Sequence, residues 1–314
     1  MSTAYRPSPA QWRLAALILA LAVGVIAVRL IRGIGLGQTA AFYLGIPTVF
    51  ALVLALSAPS KNLIGMTLRG ITLALLLAMP VLGEGFVCVL IAAPLCYAVG
   101  LMVAALVQWS RRGGGRAQVV VVPALLLLTA LEGVTPALTL PDDQSVTESR
   151  VVAASPDEVR AALARPLRFA DHRPGGVLAL GFPAPIDDAG GLDPGDQRSV
   201  RFAGAHHRPP GVAAHHWGEH ASALQLRVAE SGPESVTFAT VADHTPLASW
   251  LAWRTSEVHW RALPAGGTEI SWTLRFTRRL APGWYFGPIE QFVAGRAADY
   301  LLDAIDLGAG SPPR

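Results

Sequence analysis

Five apolar runs occupy the first 140 residues: Leu14–Ile31, Ala40–Ala58, Met66–Leu82, Phe86–Val107 and Val119–Leu138. A helix needs roughly 20 apolar residues to cross about 30 Å of hydrocarbon, and each run is close to that length. The stretch from Met66 to Val107 is too long for one crossing. "PVLGEG", Pro80–Gly85, divides it, because proline lacks the helical donor and glycine is a poor helix former. Trp12 and Trp109 stand at run edges, where indole favours the membrane interface. The pattern predicts an all-α membrane bundle of about five transmembrane helices. No A-x-A cleavage pattern follows the first run, which reads as an uncleaved signal anchor.

Past "TPALTLPDDQS", Thr135–Ser145, the pattern changes, and this Pro-punctuated acidic stretch reads as a linker. The expected domains are residues 1–140 and 141–314, the second with a core of about 146–305. Ser145–Ala153 reads as a strand. In "SPDEVRAAL", Ser155 is placed to cap a helix, Pro156 to open it and Glu158 to complete a capping box. Arg173–Gln197 carries no readable period. Period two then sets in at Val200 and Phe202. It returns at Leu224, Leu226 and Val228, at Val236 and Phe238, and at Val258 and Trp260. Its clearest case is Ile270, Trp272, Leu274 and Phe276, and each run predicts a half-buried antiparallel strand. "ESGPES" and "PAGGT" are turn chemistry. The end is helical. Ile289, Phe292, Val293, Ala297, Tyr300, Leu301 and Ala304 form an apolar stripe interrupted by Arg296, with Pro288 in the first turn.

Charge follows the same division. Residues 1–140 carry 9 basic and 2 acidic side chains, and residues 141–314 carry 16 and 20. The basic excess lies in loops beside apolar runs. No basic stripe interleaved with aromatics marks the polar half, which argues against a nucleic-acid partner. Five crossings place Arg6, Arg13, Lys61, Arg69, Arg111, Arg112 and Arg116 on one side, against Arg29 and Arg32 on the other. The positive-inside rule then makes the first side cytoplasmic. The protein is expected to be multi-pass in the plasma (inner) membrane, with an extracytoplasmic C-terminal domain. Cys88 and Cys96 lie in one apolar run and give no disulfide framework.

The order of strand, helix, antiparallel strands and long C-terminal helix predicts an α+β domain with a curved sheet around that helix. "ESRVVAASPDEVRAAL" and "TEISWTLRFTRRLAPGWYFGPIEQFVAGRAADYLL" resemble the START-like (SRPBCC, polyketide cyclase/dehydrase-like) superfamily over roughly Val146–Ile305. The resemblance implies a helix-grip fold with an internal cavity, and no shared catalytic set.

"GAHHRPPGVAAHHWGEH", Gly204–His220, holds five of the eight histidines. Alternation carried from Val200, Phe202, Leu224 and Leu226 turns His206, His216 and His220 inward, and His207 and His215 outward. Three imidazoles on one face suit zinc with an open position, and also acid–base chemistry near neutral pH. A polar cavity wall is the simplest account, and no metal or cofactor is assigned. "DDAGGLDPGD", Asp187–Asp196, lacks EF-hand spacing and is expected to be a solvated acidic loop. "TPLASWLAWR", Thr245–Arg254, offers Trp250 and Trp253 to a cavity mouth, a bilayer interface or the core. Glu84 and Glu132 lie near run ends.

The leading functional expectation is a membrane-anchored binding module. Its partners are the bilayer and a small hydrophobic ligand, lipid-like or isoprenoid-like. Its expected ligand-binding walls are Phe202, Leu226, Phe238, Trp260, Trp272, Phe276, Phe292 and Tyr300. The alternatives are a cyclase- or dehydratase-type enzyme using His206, His216 or His220, and a structural or regulatory membrane protein with a closed cavity.

Overall fold

The computed structural model describes residues 6–31, 45–58, 60, 62–82, 86–113, 140–180, 182–202 and 223–307. The described residues fall into two compact units, those up to 113 in one and those from 140 in the other.

The first unit holds four helices: α1 (Pro9–Ile31), α2 (Ile46–Leu56), α3 (Leu63–Leu82) and α4 (Phe86–Gly113). Ile18, Ala51 and Ala55 are buried where α1 and α2 meet, and the small alanines allow close approach. The carbonyl end of α2 is capped from both neighbours. Gln11 Nε2 donates to the oxygens of Ala55 (3.0 Å) and Ser57 (2.7 Å), and Arg69 donates to those of Ala55 (3.0 Å), Ser57 (2.9 Å) and Ala58 (2.8 Å). A cation at a helix C-terminus also complements the dipole. The Thr72 and Tyr97 hydroxyls, 2.7 Å apart, join α3 to α4.

Among the described residues two helical stretches, not five, are long and apolar enough to cross a membrane: Pro9–Ala27 and Val87–Trp109. At the second and third expected crossings, the apolar helical stretches among the described residues are shorter, Ile46–Leu56 and, inside α3, Leu63–Ala78. At 1.5 Å per residue, the eleven residues of α2 reach about 16 Å, half the hydrocarbon thickness. Pro80 stays inside α3, so the helix ends after it rather than at it. The fifth crossing, Val119–Leu138, and Glu84 and Glu132 lie outside the described residues.

The second unit is a curved seven-stranded antiparallel sheet with a C-terminal helix, an arrangement that fits a helix grip. Its elements are β1 (Asp143–Val152), α5 (Pro156–Leu163), β2 (Pro185–Gly190), β3 (Gln197–Phe202), β4 (Ala223–Ser231), β5 (Ser235–Asp243), β6 (Leu251–Ala262), β7 (Thr268–Arg278) and α6 (Gly283–Asp303). The strand order is β1-β7-β6-β5-β4-β3-β2. The capping box of α5 forms: Ser155 N donates to Glu158 Oε2 (2.7 Å), and Glu158 N donates to Ser155 Oγ (3.4 Å). The Ser155 N–H and, second, the Ser155 hydroxyl, which donates to the same oxygen at 2.9 Å, hold the Glu158 carboxyl below its usual pKa.

Period two held where it was clearest. Ile270, Trp272, Leu274 and Phe276 of β7 are all buried. The β6–β7 turn uses Gly266 and Gly267 at φ +91° and +81°, and a Cβ on Gly267 would meet the Val152 carbonyl oxygen at 2.5 Å. In β6 the register shifts between Trp253 and Thr255. The inward set changes from Leu251 and Trp253 to Ser256, Val258 and Trp260, as an extra residue in one strand requires.

The stretch without a readable period, Arg173–Gln197, contributes a short 3-10 turn (Gly176–Leu180) and the edge strand β2. The acidic loop is not simply solvated. Asp187 pairs with Arg201, and Asp188 is buried against Arg198.

Helix α6 begins at Gly283, so Pro288 lies in its second turn, not its first. Its buried positions include Gly283, Gly287, Glu290, Ala294 and Ala298, at helical spacing. Small residues bring the helix close to the sheet: a Cβ on Gly287 would stand 3.0 Å from Gln144 Nε2. Arg296 does not interrupt a buried stripe. It sits half exposed at the rim, within reach of Glu148 (3.6 Å) and Asp299 (3.3 Å). Arg150 on β1 reaches Asp299 (3.0 Å) and Asp303, so ion pairs fasten β1 to α6.

Candidate functional site

A cavity of about 160 Å³ lies between the sheet and α6. Strands β3 to β7 give it Val200, Leu224, Leu226, Phe238, Trp253, Trp272 and Leu274, and α6 gives it Ile289, Glu290, Val293, Ala294, Ala297, Tyr300 and Leu301. Leu167, Phe169, Leu178 and Phe182 cover one side, and Leu247 and Trp250 another. The walls are almost wholly apolar, and the interior is not filled by side chains.

Of the expected wall residues, Phe202, Leu226, Phe238, Trp272 and Tyr300 line this cavity, and three others do not. Trp260 is buried in the packed end of the sheet with Val159, Leu163, Val236 and Val258. Phe276 is buried with Leu251 and Ala294, behind the wall, and meets Trp253 edge to face at 5.6 Å. Phe292 is 60% exposed, on the side of α6 away from Glu290 and Ala294. Trp250 and Trp253, left open by the sequence, both line the cavity. His206, His207, His215, His216 and His220 lie outside the described residues.

Three polar features stand in the apolar lining. The first is the buried pair of Arg198 and Asp188. Arg198 Nε donates to Asp188 Oδ2 at 2.6 Å, and its other nitrogens donate to the carbonyls of Leu163 (2.7 Å) and Arg165 (2.9 Å). Asp188 Oδ1 accepts from Leu167 N at 2.6 Å. The guanidinium carbon lies 5.7 Å from the Phe238 ring centre, in cation–π range. Pairing and hydrogen bonding offset the desolvation of both charges. The pair ties α5 and the segment after it to β2 and β3.

The second is hydrogen bonding from aromatic side chains. Trp272 Nε1 donates to Ser256 Oγ at 2.7 Å, which fixes the indole plane and engages that hydroxyl. Tyr300 donates to the His172 carbonyl at 2.9 Å and stacks on Phe169 at 5.9 Å. Burial raises its phenol pKa.

The third is Glu290. It is 4% exposed, and neither carboxylate oxygen has a hydrogen-bond partner. Burial pushes its pKa up to about 7; Arg278 opposes the rise and Asp142 adds to it. A buried carboxyl left unpaired is costly when ionised, so the proton is retained toward neutral pH.

Sequence reasoning missed Glu290, Arg198 and Asp188. Glu290 had a signal: it falls on the series Gly287, Glu290, Ala294, Ala298, where a core-facing stripe should be apolar. Arg198 shares the inward parity of Val200 and Phe202. Asp188 was expected to be solvated with the rest of Asp187–Asp196, and with no period there nothing set it apart from its neighbours. Among the described residues, no group of three His, Cys, Asp or Glu side chains is placed to hold a metal ion.

No protein-family model matches the chain, and neither does any curated protein. Solved structures similar to it include a START superfamily protein from Mycobacterium smegmatis, at 11% identity over 52% of this chain and 94% of that one, with a TM-score of 0.34. Truncated norcoclaurine synthase from Thalictrum flavum is another, at 12% identity over 53% of this chain and 94% of that one, with a TM-score of 0.32.

Proposed function

We propose that the protein is a membrane-anchored binding module whose C-terminal domain takes up a small apolar or amphipathic molecule. The observation that carries this reading is the cavity itself: apolar, about 160 Å³, and walled by aromatic side chains that their neighbours hold in place. A cavity of this order admits a benzene-sized group. The enclosed part of the ligand is therefore one ring or a short chain, and a longer lipid-like tail would extend through the mouth. The walls proposed to touch it are Phe202, Leu226, Phe238, Trp272 and Tyr300, joined by Trp253.

Anchoring rests on α1 and α4. Their apolar stretches have only 11% of their residues buried, unlike the core helix of a soluble protein. Leu17, Val23 and Leu90 turn outward, and Trp12 and Trp109 are each 58% exposed. Lipid is the solvent that accepts such a surface. The proposed location is the plasma membrane, multi-pass, with the C-terminal domain extracytoplasmic by the loop-charge bias.

Calorimetric titration of the full-length chain with small cyclic hydrocarbons and their alcohols tests the reading. Saturable binding is expected, and Ala297→Phe, which puts a ring into the cavity, should abolish it. Binding that survives this substitution would place the ligand elsewhere.

A further inference from the structure

The lining leaves one charge unmatched. Asp188 and Arg198 neutralise each other. Outside the lining, Arg278 on β7 and Asp142 just before β1 face Glu290, and they pair with one another at 2.6 Å. Glu290 has two buried oxygens and no hydrogen bond to either. It sits on the rigid α6, in the wall of an apolar cavity that also presents the indoles of Trp253 and Trp272.

A buried polar group without a partner costs stability, and a ligand that supplies the partner recovers it. An ionised carboxylate is an acceptor only, so its complement is a donor, and the best donor in a dry site is a cation. Indole faces favour the same charge. We infer that the cavity's ligand is an amphipathic organic amine, its ammonium paired with Glu290 and its apolar body lying against Trp253 and Trp272. The inference rests on the proposed reading of the cavity as a ligand site, and it names the class of ligand. With the free carboxyl partly protonated near neutral pH, binding of a cation ionises it and expels its proton to solvent; no bond other than that O–H changes.

The test uses the full-length chain in lipid nanodiscs and three probes of one shape: cyclohexylmethylamine, cyclohexylmethanol and cyclohexanecarboxylate. The amine should bind roughly tenfold or more tighter than the alcohol, as expected for a hydrogen bond between charged groups, and the carboxylate weakest. Glu290→Gln should remove the amine's advantage and leave the alcohol within about threefold. In the native chain at pH 7, the heat of amine binding should vary with the ionisation enthalpy of the buffer, reporting net proton release, and that of the alcohol should not. Equal affinity for amine and alcohol, or an amine preference that survives Glu290→Gln, would overturn the amine inference and leave the cavity reading standing. Failure of all three probes to bind would overturn both. If Glu290→Gln does not fold, the native proton count decides: amine binding without proton release contradicts the pairing.

Discussion

Arg198 on β3 and Asp188 on the edge strand β2 meet at 2.6 Å, and the two side chains are 5% and 0% exposed. Neither charge would tolerate this position alone. Asp188→Ala should destabilise the C-terminal domain by about 3–5 kcal/mol, because it leaves a buried guanidinium unpaired. Replacing both, Asp188→Leu with Arg198→Met, should cost less than the single change. Recovery should be incomplete, since Arg198 also serves the Leu163 and Arg165 carbonyls. Denaturant unfolding of the three variants measures it; a double variant as unstable as the single one would contradict the account.

The pH dependence of stability should carry a signature of Glu290. Its pKa rises on folding, from 4.5 to about 7. The folded state therefore holds more protons than the unfolded state between those values, and stability falls as pH rises through them. The contribution is full below about 4.5 and is lost above about 7, on the order of 3 kcal/mol in all. Glu158, Asp187 and Glu257 are shifted down and act in the opposite sense at lower pH. The informative quantity is thus native minus Glu290→Gln, which should decline from pH 4.5 to 7.5. A flat difference would mean that the carboxyl is hydrated.

Two aromatics of α6 and β7 should separate sharply. Trp272→Ala removes a buried indole from the cavity wall and should cost about 3–5 kcal/mol together with ligand binding. Phe292→Ala, on the exposed side of α6, should change stability by no more than about 0.5 kcal/mol and leave binding intact. Thermal denaturation and titration of both variants check the face assignment.

Reporter fusions at Ser110 and Ser145 address the membrane half. They flank the expected crossing Val119–Leu138 and should report opposite sides. Matching reports would remove that crossing and place the C-terminal domain with the α4 terminus.

Much of the C-terminal fold was legible because few forces compete there. One buried face makes a strand alternate, and so β7 was readable residue by residue. The Ser155–Glu158 box was readable because capping is local chemistry. Trp260 and Phe276 show where this stops. Alternation gives the face a side chain takes, and both do face inward, but whether an inward residue meets an empty cavity or a packed end depends on which strands and helices lie across from it. Phe292 misled for another reason: α6 carries apolar residues on two sides, and periodicity alone cannot choose between them. The register shift after Trp253 and the burial of Asp188 are tertiary in origin. For the membrane half, apolar length was read as crossings, yet of the expected crossing Ala40–Ala58 the described residues give a helix only over Ile46–Leu56.

Diffraction from crystals of the protein equilibrated with xenon tests the central claim most directly, because xenon enters apolar cavities without needing a specific contact. The account predicts a strong peak between α6 and the sheet, bounded by Trp272, Leu226 and Ala297, and its loss in Ala297→Phe. An interior without xenon density in the native protein would contradict it.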